Sequence, residues 1–215
     1  LHVSIVALAQ KITVDFGVMD HILSVLISWD VQTFFHINLG ASNSVLDIVM
    51  PFLTTTKNWL PIYFLGLTFL LGRGYHQRHA DGRRLITCAV LLLLTVSVAD
   101  QLSHQFLKET IQRPRPYVAL PEAIQLVGSG GGSFPSNHAM NSTIIAVLLS
   151  TFFPSFQLLW WSYAVMIGFS RVYCGVHYPS DVLGGALIGA LVARLVVLVL
   201  RKQWPQLPIG PPPRA

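Results

Sequence analysis

The chain has 215 residues, of which 53% are hydrophobic and 11% charged. An ordinary soluble domain carries about 25% charged residues, so the composition excludes a water-bathed globule and points to a membrane protein of one domain. The net charge of +5 does not imply nucleic acid: much of it lies in short segments between apolar runs, where positive charge sets membrane orientation, and the polar face of a nucleic-acid groove is missing.

Residues 1–18 are moderately apolar but contain Lys11 and Asp15, and they lack the basic start, apolar centre and small-residue cleavage site of a secretory signal. Ile22–Leu39 mixes apolar residues with Ser28, Asp30 and Gln32 and reads as an amphipathic or interfacial helix. Val45–Leu53 is too short to span a bilayer and reads as re-entrant or interfacial, ended by Thr54, Thr55, Thr56 and Lys57. Asn58–Gly72 can span alone or jointly with that run, with Trp59 and Tyr63 as interface anchors. Arg73–Arg84 is a basic loop, with Arg73, Arg78, Arg83 and Arg84 against the single Asp81.

Leu85–Leu107 has the length of one crossing at about 1.5 Å per residue. Lys108–Gly132 is a long polar loop with a glycine cluster, Gly128 to Gly132, which reads as a flexible linker. Asn137–Phe153, Leu158–Tyr173 and Asp181–Leu200 are the next helices, the last closed by Arg201 and Lys202. After Trp204 the tail is proline-rich and reads as extended or disordered. Cys88 and Cys174 fall near opposite membrane faces. A core about 30 Å thick separates them, which excludes a disulfide.

Three polar islands interrupt this greasy chain: Lys108–Pro116, Ser133–Asn141 and Ser170–Asp181. Titratable groups are expensive at membrane depth, so clusters of them mark a functional site. With loop 73–84 and Arg201–Lys202 placed in the cytoplasm, counting crossings puts all three islands on the opposite face. Ser136 can cap the helix that follows it, whose first N–H groups suit a phosphate. His138 sits in that first turn, able to protonate a leaving oxygen. His177 precedes the next helix, and Asp181 is near enough to accept a proton from one ring nitrogen, leaving the other as a nucleophile. Lys108, Arg115 and Arg171 can neutralise a phosphoryl group in flight.

The pattern Lys-x6-Arg-Pro, Pro-Ser-x-His, Ser-Arg-x5-His-x3-Asp resembles the three-part signature of the type 2 phosphatidic acid phosphatase superfamily. Lys108, Arg115 and Pro116 match the first part; Pro135, Ser136 and His138 the second; Ser170, Arg171, His177 and Asp181 the third. The likeness covers roughly Asp100 to Leu200 and departs from the family at Asn137, where glycine is usual. It implies that His177 forms a phosphohistidine, that Asp181 orients it, and that His138 protonates the leaving group and then activates water. It further implies that Lys108, Arg115, Arg171, Ser136 and the backbone at Asn137–His138 hold the phosphoryl oxygens. The family's phosphatases need no metal, and the few scattered acidic residues offer no metal cluster here.

The expected fold is all-α: an integral membrane helical bundle of five or six crossings, with an N-terminal amphipathic or interfacial region over 1–57, a transmembrane catalytic core over 58–202 and a flexible tail over 203–215. The resemblance implies a membrane lipid phosphate as substrate, bacterial undecaprenyl diphosphate phosphatases being most similar, with no cofactor and no nucleic acid. The site is expected on the outer face of a bacterial cytoplasmic membrane, with the C-terminus in the cytoplasm. Phosphatidylglycerophosphate, phosphatidate and lipid A 1-phosphate are further candidate substrates, and a phosphotransferase or a lipid-phosphate carrier the alternative functions. The sequence does not fix an oligomeric state. Other polar residues have plainer readings. Arg113 is a headgroup contact, Arg194 snorkels to the cytoplasmic interface, and Asp100–His104–Lys108 is a stripe of polar packing between helices.

Overall fold

Apolar runs separated by proline, glycine and charge become helices throughout, and among the described residues there is no strand. The structure, a computed structural model, describes residues 2–76, 80–207 and 209. Arg78 of the basic loop and residues 210–215 of the tail lie outside the described residues.

Helix α1 (His2–Asn38) runs unbroken for 37 residues, longer than the element read from the sequence, because no proline interrupts it. Asp30, Phe34 and Asn38, spaced by four, share one face. Phe34 is fully buried. The Asn38 amide donates to the carbonyls of Ile124 (2.9 Å) and Tyr173 (2.8 Å) and accepts from the Ile124 N–H. Thus the C-terminal end of α1 is tied to the body, whereas Ile22, Leu26 and Trp29 are exposed.

Helices α2 (Leu46–Thr54) and α3 (Thr56–His76) are separated at Thr55, whose backbone is extended. Helix α3 runs on to His76 and α4 (Ala80–Leu102) starts at Ala80, so the basic segment is largely helical rather than a loop. Arginine is a good helix former, and cations are favoured in a last turn; basic composition alone therefore does not mark a loop.

Helix α4 widens into a π-helical turn, Ser103–Lys108, and continues through the short α5 (Glu109–Ile111) to Gln112, which closes it in the left-handed conformation (φ 46°). After α6 (Pro116–Ala119) come α7 (Asn137–Phe152), α8 (Gln157–Tyr173) and α9 (Pro179–Gln203).

Met140, Ile144, Leu148 and Phe152 of α7 form the centre of the core, covered by Cys88, Ala89 and Leu91 of α4 and by Ala193 and Val197 of α9. Both cysteines are free and buried. Helix α9 has two opposite stripes at spacing four. Gly185, Gly189, Ala193 and Val197 are buried, whereas Leu183, Leu187, Leu191 and Leu195 are more than half exposed. Small residues inside and leucines outside suit a helix bathed in lipid. By length and composition, Gly82–Ala119 and Pro179–Gln203 qualify as membrane spans among the described residues.

The small stripe brings backbones together. A Cβ on Gly185 would meet the Ser136 carbonyl oxygen at 2.4 Å, and one on Gly189 the Met140 oxygen at 2.4 Å. Gly189→Val is expected to cost at least about 1–3 kcal/mol by forcing α7 and α9 apart, read as a lowered thermal midpoint in detergent. Gly66→Ala, inside α3 with nothing within 4 Å, is the control and should leave the midpoint unchanged or raise it.

Candidate active site

The three islands meet at one end of the bundle, knit by their own backbones. The Ser136 N–H donates to the Asp181 carbonyl (3.0 Å), and the Ser133 N–H to the Arg113 carbonyl (2.8 Å). The Lys108 ammonium donates to the carbonyls of Gly132 and Pro135, both at 2.9 Å. Lys108 lies within electrostatic reach of Arg115, Arg171, Asp181 and Asp100, and His138 within reach of His177 and Arg171.

Arg115 is 4% exposed and engages all five of its N–H groups. Nε donates to the Gly131 carbonyl (3.0 Å), Nη2 to those of Gly130 (2.7 Å) and Gly132 (3.1 Å), and Nη1 to that of Val176 (2.8 Å). The remaining Nη1 proton faces His177 Nε2 at 3.2 Å. The glycine cluster is therefore not the free linker read from the sequence. The carbonyls of Gly130, Gly131 and Gly132 are held by two buried cations.

A guanidinium only donates, so the His177 Nε2 facing it presents a lone pair and the neutral ring carries its proton on Nδ1. Nδ1 lies 3.7 Å from Asp181 Oδ2, beyond hydrogen-bond length and so looser than the bond expected from the sequence. The reason is competition: Oδ2 already accepts from the Tyr178 N–H (2.8 Å) and the Ser133 hydroxyl, and Oδ1 from Arg113 (2.5 Å). The imidazole is 2% exposed. Burial pushes its pKa from 6.5 down to about 3; Asp181 opposes the shift, and Arg171 and Arg115 add to it.

Ser136 caps α7 as read, its hydroxyl accepting from the Ala139 N–H at 3.5 Å. Asn137 occupies the first turn, but its side chain turns away from the other site residues. It donates to Asp100 (3.1 Å) and accepts from the Ser103 hydroxyl (2.8 Å), while Asn141 also donates to Asp100 (2.7 Å). Only the Asn137 backbone is left to face a ligand, and Asp100 proves to be a strut between α4 and α7. The Ser170 hydroxyl bonds the Ile167 carbonyl (2.7 Å) within its own helix.

Several contacts escaped the sequence reading. Arg171 Nη1 donates to the Thr54 hydroxyl (2.6 Å) while its Nε has no partner, and His138 Nε2 lies 3.2 Å from the Thr56 hydroxyl. The threonines between two apolar runs had read only as a boundary. Arg113, read as a headgroup contact, instead pairs with Asp181 (2.5 Å) and Asp30 (2.7 Å). A cavity of about 490 Å³ opens against Lys108, Arg115, His104 and Glu109. An apolar one of about 570 Å³ lies between α4 and α9, lined by Leu94, Val98, Phe106 and Val192 and reaching Ser103.

A buried His177 and a half-buried His138 thus lie among three cations, Lys108, Arg115 and Arg171. The chain belongs to the PAP2 superfamily, whose profile matches residues 84–205. It is 29% identical over 174 residues to the lipid A 4'-phosphatase of Bacteroides thetaiotaomicron, covering 76% of this chain and 73% of that one. It is 26% identical over 159 residues to the undecaprenyl-diphosphatase BcrC of Bacillus subtilis, covering 73% and 76%. The crystal structure of a transmembrane PAP2-type phosphatidylglycerolphosphate phosphatase from Bacillus subtilis superposes with a TM-score of 0.63 at 28% identity, covering 83% of this chain and 88% of that one. This protein is thus a phosphoester hydrolase of the membrane lipid phosphatase kind.

Proposed function

We propose that the chain hydrolyses the phosphate or diphosphate of a membrane lipid through a phosphohistidine on His177, with undecaprenyl diphosphate the favoured substrate. The observation that carries this reading is the lone pair of His177 Nε2, fixed 3.2 Å from Arg115 Nη1. An incoming phosphoryl oxygen accepts the hydrogen bond of that guanidinium N–H in place of Nε2, which is then free to reach the phosphorus. The N–P bond forms, the P–O bond to the lipid breaks, and His138, protonated from solvent once the anionic phosphate lies beside it, gives that proton to the leaving oxygen. His138 then takes a proton from water, whose oxygen attacks the phosphorus, and the N–P bond breaks to release phosphate. Lys108, Arg115, Arg171, the Ser136 cap and the Asn137–His138 N–H groups hold the phosphoryl oxygens. The cations supply the charge neutralisation, so the chemistry needs neither metal nor cofactor.

A lipid tail suits the apolar cavity between α4 and α9, and the likeness to the undecaprenyl-diphosphatase supports the choice of lipid. In this reading the bundle crosses a bacterial cytoplasmic membrane five or six times. Arg73–Arg84 and Arg201–Lys202 face the cytoplasm and the site faces outward. The catalytic core is 58–202, with Thr54 contributed from the region before it.

The test is phosphate release by detergent-purified protein from undecaprenyl diphosphate, phosphatidylglycerophosphate, phosphatidate and lipid A, with and without EDTA. Release that survives EDTA, fastest from the prenyl diphosphate, is the expected result; no release from any lipid would overturn the reading. Across pH, the His177 pKa of about 3 keeps the nucleophile neutral, so its acid limb falls well below 6.5. Stability is lost in the same direction, toward acid, but over a higher window. An unfolded His177 binds a proton that the native one refuses, so the thermal midpoint should fall as pH drops from about 6.5 toward 3.

A further inference from the structure

Arg113 lies two positions before Arg115, and its guanidinium is held on several sides. Nη1 donates to Asp181 Oδ1 (2.5 Å) and to the Ser180 hydroxyl (2.7 Å), Nη2 to Asp30 Oδ2 (2.7 Å), and the charge sits 4.0 Å from the centre of the Tyr178 ring. Asp30 comes from α1, 83 residues away along the chain. Its other oxygen accepts the Ser180 N–H (2.8 Å) at the start of α9, and its Oδ2 also takes the Ser180 hydroxyl. A carboxylate from a distant helix thus satisfies one of the N–H groups that a helix start leaves without an internal partner.

We propose that Arg113, pinned by Asp30, is a positioning residue for the reaction: it fixes the rotation of the Asp181 carboxylate so that Oδ2 is aimed at His177 Nδ1. The two oxygens of Asp181 have different partners. Oδ1 is bound by Arg113, and Oδ2 faces the Tyr178 N–H, the Ser133 hydroxyl and, at 3.7 Å, His177. Freed from Arg113, the carboxylate keeps only the two bonds on Oδ2, so Oδ1 can swing about that oxygen and tilt the group away from the imidazole. A tie serving only to join α1 to α9 would be complete with Asp30 and Ser180. The second hand of Arg113 lies on the one carboxylate that touches His177. As the N–P bond forms at Nε2, the ring gains positive charge, and a carboxylate fixed beside Nδ1 stabilises it. The helix before the family-matched region therefore sets the geometry of the orienting acid.

This inference rests on the phosphohistidine reading, and the test separates the two. Dioctanoyl phosphatidate in detergent micelles is the probe, with the full chain as wild type, Asp30→Asn, Asp30→Glu, Arg113→Ala, Arg113→Lys and the double variant Asp30→Asn/Arg113→Ala. Losing a hydrogen bond to a charged group is worth about 10- to 100-fold. Accordingly kcat should fall about tenfold in Asp30→Asn and about 100-fold in Arg113→Ala, with KM held within about twofold. The double variant should be no worse than Arg113→Ala, since Asp30 acts through Arg113. Asp30→Glu and Arg113→Lys should recover part of the rate at unchanged melting temperature. Wild-type turnover with full-rate variants would sink the inference alone, as would losses that multiply in the double variant or that track only the melting temperature. A wild type that releases no phosphate would sink the reading beneath it as well.

Discussion

His177→Ala is expected to lower kcat by at least about 10⁴-fold, the scale of removing a nucleophile from a unit that acts together. The ring is 2% exposed and no other side chain can take over its geometry: His138 faces Thr56, and the Lys108 ammonium is engaged by two carbonyls. Loss of the ring also leaves Asp181 and Arg115 facing each other across a buried gap. That attraction helps retain the fold, so the variant should elute as wild type does from gel filtration. Phosphate release from the best lipid of the panel is the measurement. A rate within tenfold of wild type would remove the phosphohistidine from the mechanism.

Arg115→Lys is the second large effect, about 10²–10³-fold in kcat, although the charge is kept. The guanidinium satisfies four carbonyls and one ring nitrogen from a single planar fork. An ammonium has three donors from one point. The Gly130–Gly132 carbonyls lose their anchor, the loop loosens, and His177 Nε2 loses its fixed neighbour. A lowered thermal midpoint should therefore accompany the kinetic loss. A lysine variant with wild-type kcat would mean that charge alone serves at this position.

The residues of the three islands that the structure brings together were legible in the sequence because their spacing is local: Ser136 with His138, His177 with Asp181, Lys108 with Arg115. The helices were legible through apolar run length. What stayed hidden comes from distance. Nothing near Asp30 in the sequence announces a partner on the loop before α6 and another on α9, and nothing near Thr54 announces Arg171. The left-handed Gln112 and the π turn before Lys108 leave no mark in composition, yet they aim the first island at the other two. Asn137 was noticed as a departure. Its side-chain partners, Asp100 and Ser103, lie on another helix and appear only once α4 and α7 are packed.

The carbonyls that clothe Lys108 and Arg115 have a consequence for turnover. Cations already solvated by their own backbone take up an anion by exchange, giving up one set of partners for another, and the net gain per contact is small. Inorganic phosphate, which brings nothing but its charge, should then be a poor competitor, and product should depart without a large barrier. Affinity must come from the part of the substrate that remains in the bilayer. The polar end of the protein is built to process a phosphoryl group rather than to retain it.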